Sequence, residues 1–125
     1  MLWLIAIGGA CGSVARVLVG RSLAAPVAGL PVGTLAVNVV GSFAIGLVLR
    51  WADALPGTRE PWRALLAAGF CGGFTTFSTF SAETVALAER GDVVRAFAYA
   101  AFSMLACLAA TLAGFSMMKR ALTSG

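Results

Sequence analysis

The residues able to do chemistry are concentrated in one stretch, GFCGGFTTFSTFSAE, from Gly69 to Glu83. It lies in an uncharged run from Ala64 to Ala82 that is long enough to cross a bilayer, yet hydroxyls and phenylalanines alternate through its second half. Thr76, Thr79 and Glu83 stand at i, i+3 and i+7 and share one helix face, while Phe77 and Phe80 sit one turn apart on another. A rail of hydrogen-bonding groups therefore runs beside an aromatic rail. Gly72 and Gly73 weaken helix propagation, and any backbone group they free in hydrocarbon must find a partner inside protein or in a water-lined cavity. The pattern predicts a broken helix at a functional centre, interrupted at the two glycines.

Three further positions carry polar groups into apolar surroundings. Asn38 falls near the middle of another apolar run, where an amide is costly unless hydrogen-bonded. An interhelical hydrogen bond worth about 1 kcal/mol is one reading; donation of its N–H to a passing anion is the favoured one. Arg16 follows only a short apolar segment, so it either snorkels to headgroups or sits at a vestibule and raises the local anion concentration. Tyr99, Ser103 and Cys107 repeat every four residues on one face, with helix interface as the default reading and pathway lining as the alternative. Cys11, Cys71 and Cys107 all fall inside apolar runs, and with no histidine and no paired spacing they read as buried thiols rather than zinc ligands or disulfides.

The elements that must position these groups are membrane helices. The chain has 125 residues, 60% hydrophobic and 11% charged, with a mean hydropathy of +0.94, far from the soluble globular range. Four spans are expected at about 2–23, 32–49, 62–87 and 93–118, forming one transmembrane domain over 1–125 with no room for a soluble one. The first span lacks the basic region of a secretory signal and reads as a retained helix. Its small residues Gly8, Gly12 and Ala15, with Val19, recur at about one turn and suit close helix approach. Pro26, Gly29 and Pro31 mark a loop, and Trp51 and Trp62 flank another as interfacial anchors. The net charge of +4 is scattered between apolar runs, which argues against nucleic acid as a partner.

Charge placement bears on assembly. With four spans, Arg50, Arg59, Arg63, Lys119 and Arg120 share one side, and Arg16, Arg21, Arg90 and Arg95 the other. So small a bias leaves both insertion directions open. Two oppositely oriented copies can then pair about an axis in the membrane plane, and four short helices are few to enclose a polar path alone. A dual-topology antiparallel homodimer is the expectation.

GGACGSVAR (Gly8 to Arg16), GTLAVN (Gly33 to Asn38), GFCGGFTTFSTFSAE, and Tyr99 with Ser103 together resemble the Fluc (CrcB-type) fluoride-channel family. The resemblance covers all four helices. It implies an antiparallel homodimer in a prokaryotic inner membrane, with two pores that export fluoride passively from the cytoplasm. It implies that Phe77 and Phe80 flank the anion with ring edges, and that Asn38, Ser78, Thr79, Glu83, Tyr99 and Ser103 belong to its pathway, with Arg16 at the vestibule. It further implies a structural sodium ion at the dimer centre, held by the backbone carbonyls of Gly72 and Thr75. The chain departs from the family pattern at Cys107 (serine in some relatives), Val17 (often aromatic) and Phe74 (often leucine). Glu83, beside an anion path, must be protonated or engage a donor such as Thr79.

Rival classes fit less well. A small dual-topology proton-coupled exporter needs a carboxylate in its first helix, and no acidic residue precedes Asp53. A non-conducting scaffold subunit leaves the polar rail unused, and an intramembrane enzyme lacks a catalytic set.

Overall fold

The computed structural model describes residues 1–27 and 29–125. Among these, four helices are long and apolar enough to cross a membrane, Leu2–Ser22, Val32–Asp53, Glu60–Glu89 and Val93–Thr123. The protein is an all-α integral membrane protein. The first two spans are α1 (Leu2–Ser22) and α2 (Val32–Asp53); the third comprises α3 (Glu60–Arg63), a π-helical stretch (Ala64–Cys71), α4 (Gly72–Phe74) and α5 (Phe77–Glu89); the fourth is α6 (Val93–Thr123). The second, third and fourth spans overrun the bounds set by hydropathy, the third slightly and at both ends. Nothing between Leu49 and Asp53, or between Met118 and Thr123, stops a helix, so Arg50, Lys119 and Arg120 are helical rather than loop residues.

The break falls later than the glycines predict. Gly72 and Gly73 are helical, and the backbone becomes extended at Thr75 (φ −85°, ψ 158°) and Thr76 (φ −149°, ψ 113°). These are two β-branched residues, the class best suited to extended backbone. The glycines serve packing. A Cβ on Gly73 would collide with the Gly9 carbonyl, and one on Gly12 or Gly8 with the Phe70 or Leu65 carbonyl. Ahead of the break the helix widens to i→i+5 bonding, with the Gly72 N–H reaching Ala67 O five residues back. Sequence periodicity does not anticipate this π winding.

The interruption lets one span change neighbours. Its first half, the π-helical stretch and α4, packs on α1, whereas α5 packs on α6. α2 packs closely along α6 through a glycine pair, where a Cβ on Gly46 would strike the Thr111 carbonyl and one on Gly114 the Phe43 carbonyl. Thr111 Oγ1 also donates to Ser42 O at 3.0 Å across this contact. Phe80, Leu87, Ala96 and Tyr99 form the buried cluster between α5 and α6. Gly12→Val should therefore destabilise the protein by about 1–3 kcal/mol through overpacking. At Gly20 no atom lies within 4 Å of where a Cβ would stand, so alanine there should leave stability equal or greater; thermal unfolding in detergent distinguishes the two.

Candidate functional site

The break is held by one side chain. Asn38 Nδ2 donates to Thr76 O at 3.0 Å, and the Thr76 N–H donates to Asn38 Oδ1 at 2.8 Å. The carboxamide thus pairs with both polar groups of one peptide residue, as a neighbouring strand would. Thr76 then caps α5, its Oγ1 accepting from the Thr79 N–H at 3.2 Å. Of the two readings of Asn38, the interhelical bond is present, and the amide keeps a second N–H for the cavity it lines.

That cavity, of about 340 Å³, opens between α2, the broken span and α6. Asn38, Thr75, Thr76, Phe77, Phe80 and Ser103 all border it. Ser103 is 5% exposed, and its Oγ is buried without a hydrogen-bond partner among the described residues. Phe80 is buried and meets the Tyr99 ring at 5.3 Å between centroids, while Phe77, 5.5 Å from Phe80 and tilted 56° to it, is 73% exposed. The two phenylalanines therefore do different things: one lines the interior, the other projects outward at the groove mouth. Phe74 is buried and stacked on Phe70, a packing role. The Tyr99, Ser103 and Cys107 face turns inward and is divided between the two readings, with Tyr99 in the α5–α6 interface and the other two on the cavity wall.

A smaller cavity of about 170 Å³ lies against Thr76 and is bordered by Arg16, Thr34 and Thr79. Arg16 is half-buried. Its Nε donates to Gly73 O at 3.0 Å, capping the first half of the broken span, while the residue also borders this cavity. Thr79 Oγ1 accepts from Thr76 Oγ1 at 3.1 Å, and Ser78, exposed, lies 3.3 Å from the same Thr76 hydroxyl. Glu83 does engage donors, but not Thr79. Thr34 Oγ1 donates to its Oε1 at 2.5 Å and Tyr99 OH to its Oε2 at 3.1 Å. Sequence reasoning misses Thr34, although it stands one turn before Asn38 on the same helix, a spacing that is open to reading.

The backbone at the break leaves a second feature. Because the Thr76 N–H turns to Asn38, the Gly72 carbonyl loses the amide that would continue the helical ladder. Among the described residues no hydrogen bond reaches the Gly72 or Thr75 carbonyl, whereas Cys71 O accepts from both the amide and hydroxyl of Thr75 and Gly73 O from Arg16. Gly72 is exposed. Two free carbonyl dipoles at a helix break suit a hard cation, whose preferred ligands are oxygens.

Comparison with known proteins gives a consistent picture. A family model described as CrcB-like protein, Camphor Resistance (CrcB), matches residues 3–115. A fluoride-specific ion channel FluC of Pseudomonas syringae pv. maculicola is 44% identical over 113 residues, covering 90% of this chain and 89% of the relative. One of the same name from Caulobacter vibrioides (strain NA1000 / CB15N) is 44% identical over 121 residues, 95% of each chain. A third, from Klebsiella pneumoniae (strain 342), is 40% identical over 121 residues, 97% of this chain and 95% of the relative. With the match running through all four spans, the chain belongs to the CrcB-like family and is a multi-pass protein of the prokaryotic inner membrane.

Proposed function

We propose that this protein is a fluoride-selective channel, conducting passively out of the cytoplasm through two pores formed by an antiparallel pair of chains. The observation that carries the reading is the buried, unpartnered Ser103 hydroxyl in a cavity shared with the Asn38 amide and the Phe80 ring. The names of the relatives supply the ion. Fluoride is small and strongly hydrated, so the pathway must replace its water with hydroxyl and amide N–H donors and with the electropositive edges of aromatic rings. Donors spaced to replace the water of the smaller ion coordinate a larger halide less well, and neutral donors hold the ion loosely enough to release it. Glu83, tied to Thr34 and Tyr99, orients those hydroxyls instead of facing the ion alone.

The second copy follows from what a single chain leaves open. Phe77 projects outward, Ser78 is exposed, and the Gly72 and Thr75 carbonyls have no donor within the described chain. Polar backbone at membrane depth must be covered by protein, and an inverted copy covers it while bringing its own Phe77 to the neighbouring groove. The same carbonyls, doubled by symmetry, are the proposed ligands of a structural sodium ion. When bound, that ion supplies fixed positive charge which compensates opposed carbonyl dipoles.

Purified protein in liposomes should release fluoride and exclude chloride; a folded dimer without fluoride flux ends the channel reading. Ser103→Ala should slow flux at least about tenfold, the equivalent of ~1.4 kcal/mol in the barrier. It should do so with unchanged or higher thermal stability, because it removes an unpaired buried hydroxyl. Phe80→Ile should also cut flux. For assembly, single cysteines at Ala54 and Glu89, near Arg50 and Arg90, should crosslink to each other between chains; self-pairs alone would establish a parallel dimer. Replacing sodium with N-methylglucamine should lower the unfolding temperature of the dimer, and equal stability in both salts would remove the cation.

A further inference from the structure

Three sulfur side chains share the main cavity. Cys71 enters from the π-helical stretch, while Met104 and Cys107, at i and i+3, enter from one side of α6. Cys71 is 3% exposed, Cys107 half-buried, and both are free thiols. Cys11 is also free but exposed on α1, away from this cavity. The unpartnered Ser103 hydroxyl on the same wall is an independent sign that the cavity takes a ligand.

Thiolate and thioether ligands select soft metal ions over hard ones. We propose that this cavity is a binding site for a soft monovalent d10 ion, Ag(I) or Cu(I), with Cys107 as the one thiolate donor, the Cys71 thiol as a neutral second sulfur donor and Met104 as thioether donor. At one thiol the step is Cys–SH + M⁺ → Cys–S–M + H⁺. The S–H bond breaks, the S–M bond forms on the electron pair left on sulfur, the proton leaves to buffer, and no oxidation state changes. The product is neutral, so the metal enters an apolar wall without the desolvation cost of an uncompensated charge. The hydroxyl and amide neighbours add only weak, hard donors. A sulfur-bound metal there occupies the volume assigned above to fluoride. Metal binding itself does not rest on the fluoride reading.

The test uses the full-length dimer carrying Cys11→Ser, which removes the exposed thiol, and silver nitrate in chloride-free buffer. Silver should remain with the protein through gel filtration and be counted by elemental analysis, with affinity taken from calorimetric titration. Adding Cys107→Ser or Cys71→Ala should weaken silver binding at least about tenfold, since a hydroxyl or methyl replaces a soft ligand, and Met104→Leu should weaken it severalfold. No retained silver in the Cys11→Ser protein overturns the site, and so does undiminished affinity in both cysteine variants. Fluoride efflux is read in parallel. Silver bound through Cys107 in protein that never conducts fluoride leaves the metal site standing and removes the channel reading; efflux that silver slows, with a half-blocking concentration raised by Cys107→Ser, supports both.

Discussion

The pairing of the Asn38 carboxamide with the Thr76 backbone is the contact on which the rest of the site depends. A helix interrupted at membrane depth frees N–H and C=O groups that have no water to turn to, each costing about 1–3 kcal/mol if buried unpaired. Asn38 satisfies the two at Thr76 together and so makes extended backbone tolerable there. Everything downstream follows from that tolerance. Thr76 is free to cap α5, the new helix starts at Phe77, and its register puts Phe80 inward and Phe77 outward.

The carbonyl end of the break is handled differently. Arg16 and Ser13 reach Gly73 O from α1, and Thr75 closes on Cys71 O with its own hydroxyl and amide. For Arg16 to arrive, α1 must lie against the first half of the span at backbone contact. Gly8, Gly9, Gly12, Gly69 and Gly73 make that approach possible, since a methyl on Gly8, Gly12 or Gly73 meets a backbone carbonyl of the opposing helix. Glycine here is a packing device that brings a cation to a helix end, where the macrodipole also favours positive charge. Site and fold are therefore not separable along α1.

This explains what is legible in the sequence and what is not. Four spans and an interrupted third helix follow from hydropathy and residue type, and Asn38 stands out as a candidate because hydroxyls and amides in apolar runs are expensive and so informative; the grouping of Asn38 with Phe80 and Ser103 comes from the family resemblance. The location of the interruption does not follow from residue type. Helix propensity points to Gly72 and Gly73, but their flexibility is used for contact across a helix pair, and the extended residues are two threonines selected by a partner 38 positions away in sequence. The partners of Glu83 escape for a related reason: Thr79 is near in sequence, but Thr34 and Tyr99 are near in space. The π winding leaves no trace in residue type at all. Local pattern reports what is costly; it does not report which distant group meets the cost.

A third span that switches neighbours, from α1 to α6, cannot be surrounded on every side by three other helices. The side left over is the one carrying the Phe77 ring, the Gly72 backbone and the open groove. Lipid can cover a phenylalanine, since an apolar ring loses nothing in hydrocarbon, but it offers no donor or cation to a carbonyl. The exposed surface is thus mixed in a way lipid does not match, and the near-balance of Arg and Lys between the two ends permits a second copy to arrive inverted. In the proposed antiparallel pair the groove of each chain would be closed by the break of the other, and the interruption that Asn38 makes possible would be the contact surface between them.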